Sequence, residues 1–500
     1  MPSIHIINPA ASSPGYHTAE AFADAHGGWT QVADLSVATV AALAPSGWEV
    51  RVTDESIEPV DLEAPADFVA LTGKVTQRAR MIELAAEFRR RGRTVLIGGS
   101  FASLSPDDMR PHADVLVTGE LEQLAPQLFS DLAAGRFGDR YDGGQADIRV
   151  SPVPRWDLYP TGRALAGALQ TTRGCPFSCE FCDVIQYQGR KQRHKDVDQV
   201  LTELSALHAA GFRDVFLVDD NFTVHRRRAR EVLEALSRWN AEHAEDPVRF
   251  LTQASLDVAR DDDLLDRCRA AGLRSLFVGV ETMNADSLRE TGKRQNLLLP
   301  MAEALSRIVG KGITVQAGII VGFDHDGPAI FDEMLAFLQD SPLPNVSLGV
   351  LTAPAATDLH RRLAREGRLL GEIWEATAGN PFETNILPAR MSRDELLTGA
   401  RDLARELYRA ERYERRMLNL IERYPGGEDR PPPRRGAQNG RRQALELLRR
   451  VAGRGSREAE MVGTVLREAA RKPAILPSVM HLLGRYEQAR FMLDHAGAAA

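Results

Sequence analysis

The stretch "TTRGCPFSCEFC", residues 171–182, gathers three of the chain's four cysteines, Cys175, Cys179 and Cys182, in the spacing C-x3-C-x2-C. A thiolate is a metal ligand, and three on one loop can converge on a single metal centre. A structural zinc site is the plain alternative, but closed zinc sites take four protein ligands. The remaining cysteine, Cys268, lies far along in "DDDLLDRCRAAG", where a small buried apolar residue is the ordinary reading. His194 could complete a Cys3His set on spacing alone. The other reading is an iron–sulfur cluster. A four-iron cluster held by three cysteines keeps one iron without a protein ligand, and that position can take a substrate or cofactor.

The surroundings of the loop favour chemistry. "ALAGALQTT" (164–172) reads as a strand running into it. Further strands are read in "DVFLVDDN" (214–221), "RFLTQAS" (249–255), "SLFVGVET" (275–282), "TVQAGIIVGF" (314–323) and "NVSLGVLTAP" (345–354). Segments between them, such as "LPMAEALSRIVGKG" (299–312), have helical apolar spacing and a terminal Gly as a stop. About six βα units follow, too few for a closed eight-stranded barrel and suited to an open partial one. Ligand sites in such folds form where strands end, and the cysteine loop follows the first strand.

The preceding residues form a similar series. "IHII" (4–7), "WEVRVT" (48–53), "DFVALT" (67–72), "TVLIGG" (94–99) and "DVLVTGE" (114–120) read as strands, with helices between them. Alternation of this kind implies a parallel sheet covered on both faces, with ligands at the carboxyl ends of the strands. The Gly-, Pro- and Asp-rich run from 136 to 160 reads as a linker. After residue 359 the strand signals fade. "MSRDELLTGARDLARELYRAERYERRMLNLIERY" (391–424) reads as helical with Ser392 as N-cap. "PGGEDRPPPRRGAQNGRR" (425–442) reads as an exposed linker, and two or three helices close the chain. Tyr408, Tyr413 and Arg415 are candidates to line a pocket; plain helix packing is the alternative. The arginine excess between 401 and 450 reads as a solvated helix face, with an acidic partner or membrane surface as the lesser reading.

At 500 residues, two to four domains are expected. A 43% hydrophobic content and net charge of −7 fit a globular protein and point away from a nucleic-acid binder. No secretory signal or membrane-spanning run is read. Four cysteines suit a reducing compartment, so a cytoplasmic location is expected.

"RGCPFSCEFC" resembles the signature of the radical S-adenosylmethionine (SAM) superfamily, with Phe181 as the aromatic before the last cysteine. "FLVDDNFT", "LTQASLDVA", "FVGVETMN", "GKRQN", "QAGIIVGFDHDG" and "TNILPARM" resemble blocks of its cobalamin-binding enzymes, in the subgroup that contains hopanoid methylases. The resemblance implies an α/β architecture: a Rossmann-like cobalamin-binding domain (1–140), a linker (141–163), a partial (β/α)6 radical SAM barrel (164–356) and a mostly helical C-terminal domain (357–500). By that resemblance Cys175, Cys179 and Cys182 hold a [4Fe–4S] cluster whose open iron binds SAM. Phe181 packs near the adenine. Asp219, Asp220 and Asn221 lie where the family contacts the methionine moiety. Ser255 and Glu281 hydrogen-bond the ribose or amino group, though ordinary strand-end polarity is an alternative. Gly318 to Gly322 match the motif beside the adenine.

For cobalamin, Thr72, Thr76, Gln77, Gly98, Gly99, Ser100, Gly119 and Glu120 match positions around the nucleotide tail and corrin edge. There is a departure. The cobalt-ligating motif D-x-H-x-x-G is here "DESIEP" (54–59), with Ser56 in place of His and Pro59 in place of Gly. Serine is no substitute for imidazole on cobalt. Either the corrin binds without a histidine below it, or cobalamin binding has been lost; the "GGS" and "TGE" blocks favour the first.

The implied activity is a C-methyltransferase acting on an unactivated carbon of a lipid, isoprenoid or natural-product intermediate. A radical cyclase or rearrangement enzyme is one alternative, and a non-catalytic zinc or Fe–S protein another. An electron donor such as flavodoxin or ferredoxin is the implied partner.

Overall fold

The computed structural model describes residues 1–371, 380–426 and 437–495. The chain divides into two compact units. One comprises 1–220 with 353–380, the other 221–352 with 381–500. This division is coarser than the four segments expected from sequence.

The first unit holds a six-stranded parallel sheet of β1 (Ser3–Asn8), β3 (Glu49–Asp54), β4 (Phe68–Thr72), β5 (Thr94–Gly98), β6 (Val115–Thr118) and β7 (Arg140–Asp142). Their spatial order is β3-β1-β4-β5-β6-β7. Strand order reverses at β1, and in such sheets the crevice beyond the carboxyl ends at the reversal receives ligands. The helix Arg78–Arg90 shows why the pattern folds this way. It buries Met81, Leu84, Ala85 and Phe88, one stripe at helical spacing, against Val69, Leu71, Val95 and Ile97 of the sheet.

Two short strands depart from the sequence reading. β2 (Thr30–Val32) pairs in parallel with β8 (Ala164–Leu169), outside the first sheet. β7 lies in the stretch read as a linker and pairs with β6. The rest of that stretch is packed too, with Ile148, Trp156 and Tyr159 buried. Gly and Pro marked turns here, but the intervening apolar side chains are spent on the core. Tyr159 ties two loops together. Its hydroxyl donates to Asp54 Oδ2 at 2.5 Å and accepts from the Asp34 amide at 3.2 Å. Asp34 in turn caps the helix Leu35–Leu43. Burial pushes the Asp54 carboxyl up.

The second βα series follows the expected six strands: β8, β11 (Asp214–Leu217), β12 (Arg249–Ala254), β13 (Leu273–Glu281), β14 (Thr314–Val321) and β15 (Val346–Val350). In the first unit, β11 pairs with β8. A small antiparallel pair, β9 (Thr172–Arg173) and β10 (Arg193–His194), frames the cysteine loop. In the second unit, β12 to β15 pair in sequence order, all parallel.

The C-terminal helices also lie in the second unit. Ser392 caps Arg393–Leu407 in a reciprocal pair with Glu395. The run read as one helical stretch breaks before Ala410–Arg423. Residues 427–436 of the expected linker lie outside the described residues, and the helix Ala437–Ala452 starts within the remainder. Ser456–Ala469 and Leu476–His495 follow. Tyr408 and Tyr413 are packing residues, wholly buried. Their hydroxyls donate to Val346 O at 2.7 Å and Leu482 O at 2.7 Å. Arg415 is exposed and pairs with Asp340. Among the described residues no helix is long and apolar enough to cross a membrane.

Replacing Tyr159 with Phe strips a donor from a buried carboxylate. The expected loss is about 1–3 kcal/mol, read as a lower urea midpoint.

Candidate active site

The cysteine loop in the first unit is held through its backbone and through the Glu180 side chain. Gly174 opens it at φ 96°, and its amide donates to Asp220 Oδ2 at 2.7 Å. A Cβ on Gly174 would lie 2.6 Å from Lys191 O, so only glycine fits. Cys175 N donates to Gly189 O and Cys182 N to Cys179 O, at 3.2 and 3.1 Å. At the far side, Arg362 forks onto the Glu180 carboxylate at 2.7 and 3.2 Å, and Leu359 N donates to Glu180 O. Cys179 is buried, whereas Cys175, Phe181 and Cys182 are half-buried.

The preceding residues are anchored from below. Asp219, at the end of β11, accepts from Thr171 N at 2.7 Å, Thr171 Oγ1 at 2.5 Å and Thr172 N at 2.8 Å. Burial pushes both Asp219 and Asp220 up to about 6, against the pull of these bonds. Asp219 and Asp220 therefore fix the loop's entry through its backbone.

The donor set fits a cluster. Three thiols come from one loop. The fourth cysteine, Cys268, is fully buried on the helix Asp262–Ala270, where burial, reinforced by Asp261, pushes its thiol up to about 12. It stays protonated and is a poor ligand. The zinc alternative needs four ligands around one point. Among the described residues, no three His, Cys, Asp or Glu side chains are gathered closely enough to hold a metal ion, the three loop thiols included, so the fit to a cluster rests on the donor types and their spacing. His194 sits on β10 opposite Thr172.

At the first sheet, Thr72, Gly98 and Gly119 end or follow strands, and Ser100 opens the helix Ser100–Leu104. Gly99 has φ 94°, and a Cβ there would lie 2.7 Å from Gly73 N. The strand-end loops thus approach one another backbone to backbone. Thr76 O accepts from Ser12 N. Gln77 is spent within the protein: its side chain donates to Asn8 Oδ1 and Pro9 O and accepts from Lys74 N. Ser56 is exposed and its amide donates to Asp54. Glu120 binds Arg173 at 2.8 Å and Arg193 at 2.5 Å, while Glu122 binds Arg173 at 2.6 Å. Sequence reading passed over Glu122, Arg173 and Arg193. Their only signal was an arginine beside the first cysteine.

In the second unit, Asn221 Nδ2 donates to Ser255 Oγ at 2.7 Å, so these two predicted residues meet. Glu281 sits at a bulge ending β13 with φ 66°, a strained conformation for a non-glycine residue. Its carboxylate pairs with Lys293 at 2.8 Å, and Asn296 Nδ2 donates to Gly279 O and Val280 O. Strain of this kind concentrates at functional sites. Gly318 packs against the Phe277 ring. Gly322 has φ 104°, and its amide and that of Phe323 donate to Asp326 Oδ2 at 3.0 and 3.1 Å.

Residues 169–338 match the Radical SAM superfamily, and residues 357–490 match a domain of unknown function, DUF4070. An uncharacterized methyltransferase of Synechocystis is 35% identical, with 72% of this chain and 68% of the relative covered. The chain belongs to the radical SAM superfamily. The hopanoid C-2 methylase of Rhodopseudomonas palustris is 32% identical over 66% of this chain and 64% of its own length. The solved radical SAM methyltransferase TsrM of Kitasatospora setae, with cobalamin and a [4Fe–4S] cluster bound, shares the fold. Its TM-score is 0.59 at 18% identity, covering 94% of this chain and 99% of that one. The second βα series is thus the partial barrel of a radical SAM enzyme, preceded by a Rossmann-like sheet and followed by helices.

Burial pushes Asp326 up to about 6, above its ordinary 3.8. The folded enzyme therefore holds a proton there that the unfolded chain has released. The associated stability is full below about pH 3.8 and is lost as pH rises through about 6. Urea unfolding from pH 4 to 7 is expected to show a shallower fall in Asp326→Asn than in the parent.

Proposed function

We propose that this radical SAM enzyme is a cobalamin-dependent methyltransferase that adds a methyl group to an unactivated carbon. Its substrate is a lipid, isoprenoid or natural-product intermediate. The observation that carries the reading is the three-cysteine loop, held in place by Asp219, Asp220 and Glu180. When bound, the cluster supplies the electron that splits SAM into methionine and a 5′-deoxyadenosyl radical, and the corrinoid carries the methyl group. A carbon without an acidic proton or a lone pair is a poor partner for an ordinary sulfonium methyl, which is why a radical route is needed.

Cys175, Cys179 and Cys182 hold the cluster. Phe181, half-buried within the loop, offers an apolar face to the adenine. Asn221, Ser255 and Glu281 supply the polar groups for the ribose and the amino group of SAM. Lys293 holds the Glu281 carboxylate in place at its strained position. Gly318 and Gly322 line the β14 end of the adenine site, where Phe277 and Leu396 pack closely against them. Thr72, Thr76, Gly98, Gly99, Ser100 and Gly119 edge the corrinoid site. Ser56 presents only a hydroxyl there, so this loop gives the cobalt no imidazole. A low-potential protein such as flavodoxin or ferredoxin supplies electrons. The hopanoid methylase relative supports a polycyclic lipid as the first substrate to try.

The test is an anaerobic incubation of the reconstituted chain with SAM, a reductant, methylcobalamin and candidate hopanoids, read by mass spectrometry. A product heavier by one methylene unit is expected. An isomer of unchanged mass would replace methyl transfer by rearrangement, and a colourless zinc protein would remove the enzyme reading. Cys179→Ala is expected to bring 5′-deoxyadenosine below detection; undiminished formation contradicts the site.

A further inference from the structure

Arg173 and Arg193 occupy directly opposed positions of the antiparallel pair β9–β10. Like charges facing each other across a ladder are destabilising. Here both side chains are largely buried, which raises the cost. The Glu120 carboxylate lies between them. It accepts from Arg173 Nη1 at 2.8 Å, and from Arg193 Nη1 and Nη2 at 2.6 and 2.5 Å. Glu122 closes the set. It takes Arg173 Nη2 at 2.6 Å and the Ser151 hydroxyl at 2.7 Å. Arg193 also donates to Ala146 O and Gln188 O, and Arg173 to Gln170 Oε1. Burial pushes Glu122 up, but Arg173 outweighs it and leaves the carboxyl below its ordinary range.

The four groups carry two positive and two negative charges in one buried site. Their position is unusual. Arg173 lies two residues before Cys175, whereas Glu120 and Glu122 follow β6 in the Rossmann-like sheet. We infer that Glu120, Glu122, Arg173 and Arg193 form a positioning clamp. It fixes the cysteine loop to the end of β6, and its own two positive and two negative charges cancel. The inference rests on the cluster reading above. Cluster potentials respond to nearby net charge, and in a buried site such charges are weakly screened.

The clamp acts through charge, so deletions of opposite sign act oppositely. Glu120→Gln leaves an excess positive charge and is expected to raise the cluster's midpoint potential. Arg193→Gln leaves an excess negative charge and is expected to lower it. The double variant keeps the neutral Arg173–Glu122 pair and is expected to return near the parent value. The conservative Arg193→Lys keeps the charge and is expected to keep the potential. Full-length protein is reconstituted anaerobically, and iron content, circular dichroism and an EPR-monitored reductive titration are read.

Shifts of the same sign, or none, in single variants that keep their iron overturn the clamp. If a single variant loses iron or fold, the double is expected to regain it; loss in the double as well also overturns the clamp. A parent chain that takes up no iron instead sinks the cluster reading. The clamp is then read from the melting of the metal-free chain, lower in each single variant and restored in the double. Equal melting temperatures across the series overturn it.

Discussion

Everything at this site depends on a buried carboxylate at the end of one strand gripping the backbone at the end of its neighbour. Asp219 takes two amides and a hydroxyl from Thr171 and Thr172, and Asp220 takes the amide of Gly174. A loop rich in thiols would otherwise have little to order it, because cysteines offer weak hydrogen bonds. The cost is a pair of adjacent acids in a dry place, reflected in their raised affinity for protons. The return is a loop whose entry is fixed through its backbone at Thr171, Thr172 and Gly174.

The same logic governs the charges around it. Arg173 and Arg193 face each other across a ladder, an arrangement that fails by itself and becomes stable with Glu120 between them. Lys293 performs a similar service for Glu281, whose backbone is held in a left-handed conformation at a bulge. In both cases a locally unfavourable choice is compensated by a partner distant in sequence. Such compensated violations are expected where function constrains a fold.

Cys268 shows the opposite case. It has the same side chain as the loop cysteines, but it packs on an amphipathic helix and keeps its proton. Residue type alone does not distinguish ligand from filler; surroundings do.

Much was legible in the chain itself. The alternation of apolar runs predicted both βα series, because strand and helix burial impose periods of two and 3.6 residues. The C-x3-C-x2-C spacing put three thiols on one short loop, next to the strand-end carboxylates that hold its backbone. The linker was misread because Gly and Pro mark turns but say nothing of what the residues between them touch; Trp156 and Tyr159 are core. The roles of Glu120 and Gln77 were equally invisible. Each sits in a motif beside a strand end, yet each is bound by protein groups from elsewhere. Sequence by itself determined the element types and the cysteine loop, because these follow from local periodicity and spacing, while the class of cofactor came from the loop's resemblance to a known signature. Only the tertiary structure decided which charges neutralise which. Ion pairing depends on distances between segments far apart along the chain, and a one-dimensional pattern does not contain them.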